Sequence, residues 1–247
     1  MINERDAKAS LSLSGEKLQI KSSVLYILGT PIGNLDDITL RALEILKAAD
    51  AIVCEDTRIT RRLLEKFKIS NKKMIAHYKT QEARAIPEII SLLEQENTLV
   101  LVSDAGTPGI SDPGHFLTCS ILEAGYEVLP VPGVSAITTL LSVSHIPISE
   151  FVYYGFLPHK KGRLNKLRSI AAEKKPALLF ESTHRIEKLL SELLQHCGER
   201  ELLIGRELTK IHETIIRGNI SFAIEWFKKR SMKGEFTLLI APENEEK

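Results

Sequence analysis

The sequence predicts an α/β fold in two parts, an N-terminal parallel α/β sheet followed by a C-terminal mixed α/β domain. Three observations predict it. Through the first half, short apolar runs alternate with segments of helical period, the order of β-α-β units. Those runs are continuous rather than alternating, as in strands covered by helices on both faces. In the second half the links shorten, and residues 201–208 and 212–218 lie close enough to pair antiparallel. The 247 residues suffice for one large or two smaller domains, burying about 70–75% of the unfolded surface. A content of 43% hydrophobic and 26% charged residues excludes wholesale disorder. No apolar run reaches the about 18 residues that a membrane-spanning helix needs.

Taken in order, VLYIL (24–28) reads as the first strand. Residues 37–49 place Ile38, Ala42, Ile45 and Ala49 on one stripe, a helix with Asp36 or Asp37 as N-cap. AIVC (51–54) is a strand, 58–68 a basic helix, MIAHY (74–78) a weaker strand and 82–95 a helix. TLVLV (98–102) is the clearest strand of this half. PGHFLTCSILEAG (113–125) has Pro near its start and Gly past its end, the asymmetry of a helix. YEVLPV (126–131) is a strand and 133–143 a helix. His145-Ile146-Pro147 reads as a linker. FVYYGFL (151–157) opens the second part, and a basic segment, 159–168, precedes the strand ALLFE (177–181). Residues 184–196 are amphipathic through Ile186, Leu189, Leu190, Leu193 and Leu194. A helix around 219–229 and the strand EFTLLIA (235–241) follow. The expected organisation is a flexible tail over 1–22, domains over 23–147 and 148–242, and an acidic tail over 243–247.

The N-terminus has no apolar core like that of a signal peptide, so a cytoplasmic location is expected. Cys54, Cys119 and Cys197 are isolated and odd in number, without zinc spacing or a disulfide framework, and read as small apolar side chains. A net charge of +1 gives no general attraction to polyanions and leaves local basic patches to be sought separately.

Ligands of open α/β sheets bind outside the carboxyl ends of the strands. Three loops there are unusual. Gly29-Thr30-Pro31-Ile32-Gly33-Asn34 is neither a Walker A loop nor a dinucleotide fingerprint. By itself it reads as a stiff turn. Residues 103–114 (SDAGTPGISDPG) form a long loop directly after a buried strand, and loops of that length in a compact domain are functional or disordered. Its prolines favour an ordered ligand clamp. Pro130-Val131-Pro132-Gly133-Val134-Ser135-Ala136 offers small residues and a helix N-terminus. No metal cluster and no nucleophile elbow accompany them.

With these loops quoted, a resemblance emerges. TPIGNLDDITLRALEILKAADAIVCEDTR (30–58), LVSDAGTPGISDPG, PVPGVSA, GFLPHKKGR, FESTHR, GRELTKIHETIIRG and KGEFTLLI occur in the order found in the ribosomal-RNA branch of the tetrapyrrole (corrin/porphyrin) methylase superfamily. The resemblance spans roughly residues 24–241, and TPIGNL, EDTR and ESTHR are specific to that branch. It implies a two-domain tetrapyrrole-methylase-like fold with the cofactor in the cleft between the domains, and a homodimer. It also implies an S-adenosyl-L-methionine-dependent enzyme that 2′-O-methylates the ribose of a cytidine in the decoding region of 16S rRNA. Carried over by position, Pro31 matches the proline near the methionine moiety. Ala105, Gly106 and Thr107 match the cofactor turn, with Ile110 an apolar contact after it. Ser135 and Ala136 match the small pair after Pro-Gly, and Glu181 and Leu208 the residues framing the adenine. This chain departs from the pattern in a short loop at 159–163 and in stopping soon after KGEFTLLI, where many relatives continue with a helical extension.

Methyl transfer to a hydroxyl is an in-line displacement at a sulfonium. It needs orientation, a dry rigid site and a proton acceptor, and no metal. Glu55, Asp56 and Arg58 follow a strand and are expected to face the nucleotide, with His184 and Arg185 opposite. The bland alternatives stand beside these readings. Glu55 and Asp56 cap the next helix and pair with Arg58 or Arg61, and Ser182 and Thr183 cap the 184–196 helix. Lys210 and Glu213 complete the expected rim. Basic stretches at 58–73, 159–168 and 228–233 are either an RNA footprint or solvated helix faces, and Tyr78, Tyr153 and Tyr154 are the candidates for base stacking. The expected partner is 16S rRNA, within the small ribosomal subunit, with no membrane. Two alternatives remain at this point: a methylase of small tetrapyrroles, and a non-catalytic ribosome-associated binding module.

Overall fold

The structure is a computed structural model that describes residues 7–11, 17–78 and 82–243. The chain divides into two compact units, Met1–Ser135 and Ala136–Lys247. The boundary therefore falls after Ser135, twelve residues before the expected one at 147, because the helix after Pro132-Gly133 belongs with the second unit.

In the first unit five parallel strands stand in the order β5-β4-β6-β3-β7. They are β3 (Val24–Leu28), β4 (Ala51–Cys54), β5 (Lys73–Ala76), β6 (Thr98–Val102) and β7 (Glu127–Val131). Their apolar runs are continuous because both faces are covered. Val24, Tyr26, Leu28, Ile52, Cys54, Val100 and Val102 pack with Ala42, Ile45, Leu46 and Leu64 of α1 (Leu40–Ala48) and α2 (Thr57–Lys66). Leu25, Val53, Leu99 and Leu101 face the other way, onto Ile89, Leu93, Leu117 and Ile121 of α3 (Glu82–Glu94) and α4 (His115–Glu123). The period-two alternation of β-strands divides each run between the layers. A buried Leu or Ile side chain contributes about 1.5–3 kcal/mol relative to exposure.

The topology positions the site. The chain leaves β3 for β4 and β5 through α1 and α2 on one face, then returns through β6 to β7 by α3 and α4 on the other. β6 lies between β4 and β3, and its onward connection runs on the opposite face from theirs. That reversal is a topological switch point, where open α/β sheets hold their ligands.

Two local expectations are corrected. Residues 1–22 are not simply a tail, since β1 (Ala7–Leu11) and β2 (Lys17–Lys21) pair antiparallel from Ala7↔Lys21 to Leu11↔Lys17. Ile20 is buried in the core shared with α1, and Lys21 pairs with Glu127 of β7 at 2.9 Å. Residues 1–6 and 12–16 lie outside the described residues, as do 244–247 of the expected acidic tail. Neither Asp36 nor Asp37 caps α1. Asn34 caps a 3-10 turn over Leu35–Asp37, and Thr39 Oγ1 accepts the Ala42 N–H at 3.1 Å to start the helix.

The second unit is a mixed sheet in the order β11-β10-β12-β9-β8. Its strands are β8 (Val152–Phe156), β9 (Ala177–Ser182), β10 (Glu201–Arg206), β11 (Thr214–Asn219) and β12 (Glu235–Ile240). β8 and β9 are parallel and the rest antiparallel, with Glu201↔Asn219 opening the β10–β11 register. One face buries Leu179, Ile204, Leu238 and Ile240 under α6 (Arg163–Ala171), α7 (Ile186–Cys197) and α8 (Ile220–Lys228). On Gly205 of β10, a Cβ would lie 2.9 Å from Leu140 of α5 (Ala136–Leu141), so glycine there admits that short helix. Among the described residues no helix is long and apolar enough to cross a membrane.

Candidate functional site

Three loops leave the carboxyl edge of the parallel sheet at the switch point, and hydrogen bonds and close packing lock them to one another. Thr30 N–H donates to the Gly106 carbonyl at 2.8 Å, and Gly106 N–H returns to Thr30 at 3.1 Å. The buried Thr30 hydroxyl donates to the carbonyls of Ser103 and Gly106 at 3.1 and 3.3 Å. The third loop approaches backbone to backbone. A Cβ on Gly133 would lie 2.6 Å from the Gly29 carbonyl oxygen, a contact that side-chain carbons do not make. Gly29 N–H also donates to the Val131 carbonyl at 3.1 Å.

The loop after β6 is ordered by its own bonds. Gly109 N–H donates to Pro113 at 3.2 Å and Ile110 N–H to Thr107 at 3.3 Å. Gly106 (φ 82°) and Gly109 (φ 84°) occupy the left-handed region that favours glycine. Pro31 and Gly106 are buried, Thr107 and Ser135 half-buried, and Ala105 and Ile110 exposed. These expected cofactor residues of the first unit, Ser135 at its very end, all lie on the three loops. Ala136 opens α5 in the second unit.

A polar group stands past the end of β4. Asp56 is the N-cap of α2 and accepts the Arg58 N–H at 2.8 Å. Its carboxylate also receives the Arg58 guanidinium, Nε at 3.0 Å and Nη2 at 2.6 Å. The capping alternative is thus what the geometry shows for Asp56, and Glu55 before it is half-buried. The Arg58 side chain is 81% exposed. Hydrogen bonds from Arg58 hold the Asp56 carboxyl down at about 2. Asp104, the second residue after β6, accepts the Asp56 N–H at 3.0 Å and ties the two loops. Burial raises its pKa above the ordinary carboxylate value. Asp104 was inside a quoted motif without a role of its own. Its position just past the strand end at the switch point is the signal that could have singled it out. His77, past the end of β5, is 1% exposed, and neither ring nitrogen has a partner among the described residues. Burial lowers its pKa.

The expected second-unit residues are not all of one kind. Leu208 is buried and His184 exposed. Glu181 is 1% exposed, its Oε1 accepting the Ser182 N–H at 2.9 Å and lying 3.2 Å from Arg185 Nε. The Arg185 guanidinium also donates to the Leu157 carbonyl. Ser182 and Thr183 do not cap α7, whose N-cap Arg185 makes no side-chain capping bond. Thr183 Oγ1 instead donates to the Gly234 carbonyl at 2.7 Å, fixing the turn to the start of β12. Lys210 pairs with Glu207 and Glu235 at 2.9 and 2.7 Å, and Glu213 accepts the Thr209 N–H at 2.6 Å. Beside them lies a groove of about 640 Å³ lined by Arg206, His212 and Lys233. Two basic candidates face inward. Arg163 is 5% exposed, and Lys72 Nζ donates to the Lys47 and Ala49 carbonyls at the end of α1. Of the stacking candidates, Tyr78 is exposed, Tyr153 packs edge-on to Phe180, and Tyr154 lies under Lys166.

Residues 24–223 match the model of the tetrapyrrole (corrin/porphyrin) methylases. A Thermotoga maritima protein named ribosomal RNA small subunit methyltransferase I is 43% identical over 217 residues, 88% of this chain and 97% of that one. The Escherichia coli O157:H7 protein of the same name is 43% identical over 220 residues, 87% of this chain and 77% of its own length. Among solved structures, cobalt precorrin-4 methyltransferase superposes with a TM-score of 0.67 at 16% identity, covering 89% of this chain and 95% of its own. Diphthine synthase superposes with a TM-score of 0.69 at 14% identity, covering 89% of each chain. At those identities the structures show the fold alone. The chain belongs to the tetrapyrrole (corrin/porphyrin) methylase family, among its members named ribosomal RNA small subunit methyltransferase I.

Proposed function

We propose that this protein is an S-adenosyl-L-methionine-dependent methyltransferase of small-subunit ribosomal RNA, methylating the ribose 2′-OH of a cytidine in the decoding region of 16S rRNA. The observation that carries this is the 43% identity to a protein of that name over nearly the whole of both chains. The fold shared with a corrin methylase does not argue for a corrin substrate, because function lives in the site and not in the fold. The cytoplasmic location and the homodimer belong to the same proposal.

The first unit's loops fit the cofactor. A Cβ added to Gly106 would meet only Ile32, at 3.5 Å, so that turn leaves its backbone open to a bound group. Pro31, Ala105, Gly106, Thr107, Ile110, Ser135, Ala136 and Leu208 are the residues we assign to hold it. When bound, S-adenosyl-L-methionine supplies a methyl group on a sulfonium. Locked loops hold the acceptor hydroxyl in line and exclude water, which accounts for much of such a rate. Among the acidic groups at this edge, Asp56 is the poorest base, since Arg58 holds it ionised at about 2. Asp104, raised by burial, is the better proton acceptor, with Glu55 beside Asp56. Arg58, mostly exposed, is placed to exchange Asp56 for a phosphate oxygen. His184 is exposed and free to approach RNA, whereas Arg185 already serves Glu181 and Leu157. Incubation with radiolabelled S-adenosyl-L-methionine and small subunits from cells lacking this methylation tests the proposal. Label in a 2′-O-methylcytidine is expected, and absence of transfer to subunits and to free rRNA would overturn it.

A further inference from the structure

Between β8 and α6 the chain passes through Leu157-Pro158-His159-Lys160-Lys161-Gly162. Two arginines hold this loop from inside. Arg185 donates to the Leu157 carbonyl, and Arg163 Nη1 donates to the Pro158 carbonyl at 3.2 Å. Each arginine is fixed in turn by carboxylates, Glu181 buried and Glu192 half-buried. Arg163 reaches Glu192 Oε2 through Nε at 2.8 Å and Nη2 at 2.6 Å, and lies 4.0 Å from Glu181 Oε2. Arg185 Nε lies 3.2 Å from Glu181 Oε1. The other oxygen, Oε2, has no hydrogen-bond partner among the described residues, so Glu181 is held by charge from both arginines at once.

Glu181 and Glu192 face Arg163, Arg185 and also Lys188, which lies 3.7 Å from Glu192, so the network has no carboxylate to spare for the loop's outward charge. His159, Lys160 and Lys161 are exposed, and among the described residues neither lysine has an ionic partner. Arg185 Nη1 stands 3.3 Å from His159 Nε2 and steadies the base of the loop. A buried ion network is weak evidence for stability and better evidence for fixing one geometry. Lysines mounted on a loop already ordered lose less freedom on binding. In a chain of net charge +1, such a local pair confers what the whole molecule lacks, attraction to a polyanion.

The geometry points to the 157–162 loop as a rigidly mounted arm that grips the phosphate backbone of the RNA substrate through Lys160 and Lys161. Glu181, Arg163 and Arg185 are its positioning residues. This rests on the proposed rRNA substrate. It assigns Glu181 to the two arginines rather than to the adenine, because Oε1 lies 3.2 Å from Arg185 and Oε2 4.0 Å from Arg163.

The test measures binding of unmodified 16S rRNA between 50 and 250 mM salt, which are about the concentrations over which phosphate contacts weaken, together with steady-state methyl transfer. Removing two phosphate contacts from a single strand lowers the slope of log affinity against log salt by about 1.4. Lys160→Ala/Lys161→Ala is expected to show that change, at least a tenfold loss of RNA affinity, and an S-adenosyl-L-methionine affinity within twofold of wild type. Glu181→Gln keeps an acceptor for Ser182 and is expected to raise KM for RNA at least threefold with cofactor affinity and kcat held. A double lysine variant with wild-type slope and affinity would overturn the arm. A Glu181→Gln variant that loses cofactor affinity instead would overturn the positioning role. A wild-type protein that neither binds nor methylates rRNA would overturn the proposed function, and the arm with it.

Discussion

Gly133→Ala probes the packing of the three loops. A Cβ there would stand 2.6 Å from the Gly29 carbonyl oxygen, where ordinary contact begins at 3.4 Å, so the loops must part by about 0.8 Å. The neighbouring atoms are backbone, and no side chain can rotate away. Overpacking of this kind costs about 1–3 kcal/mol, which lowers Tm by roughly 2–12 °C in a chain of this size. The same shift moves Pro31 against the loop after β6, to which Thr30 is bonded at 2.8 Å. A misplacement near 1 Å can cost about a hundredfold in rate, and we expect a fall of about 10- to 100-fold in kcat/KM for S-adenosyl-L-methionine. Thermal unfolding and cofactor titration check both halves. Gly125→Ala is the control, because nothing lies within 4 Å of a Cβ there. It carries only the left-handed backbone penalty, about 1 kcal/mol, and leaves cofactor affinity unchanged. A Gly133→Ala protein with wild-type Tm and wild-type cofactor affinity would refute the locked-loop reasoning.

Other outcomes are expected from the same structure. Leu101→Ala removes a fully packed side chain from the central strand and should cost about 2–5 kcal/mol in urea unfolding. Glu192→Ala leaves the buried Arg163 without its closest partner and should destabilise by about 3 kcal/mol. A loss under about 0.5 kcal/mol would mean that solvent reaches Arg163. His77 has a lowered pKa in the folded state, so the unfolded chain takes up the proton first as pH falls below about 6.5. Stability should then drop on acidification by up to about 1.4 kcal/mol per pH unit relative to His77→Gln, and equal slopes would count against it. Asp56→Asn keeps the α2 cap, since Asn caps as well as Asp, but loses the ionic fork to Arg58. Stability should stay within about 0.5 kcal/mol of wild type, a bound typical of surface changes, while methyl transfer falls.

The parallel sheet was legible because burial on both faces leaves a local signature: apart from Thr98, 24–28, 51–54 and 98–102 are continuous apolar runs, and the observed strands match those ranges. The N-terminal hairpin was not legible. AKASL and KLQIK are short and half polar, Ser14-Gly15 between them is only a weak turn signal, and the burial of Ile20 in the core, a tertiary contact, is what marks the second strand. The α1 boundary was misread because two adjacent aspartates outweighed Thr39, although Asn34 and Thr39 supply the caps. The loops of the candidate site stood out through their Gly and Pro content, but their mutual locking did not. Gly29 against Gly133, and Glu181 against Arg163, are contacts between residues distant in sequence. Hydrophobic period and cap chemistry are local quantities, whereas a buried ion network is set by which strand ends meet.

In the proposed function, the carboxyl edge at the β3–β6 switch point holds the cofactor. Crystallography of the protein with S-adenosylhomocysteine tests it most directly. Density for the ligand is expected against the main chain of Ala105–Thr107 and beside Pro31. Ligand bound at saturation elsewhere, with these loops bare, would contradict it.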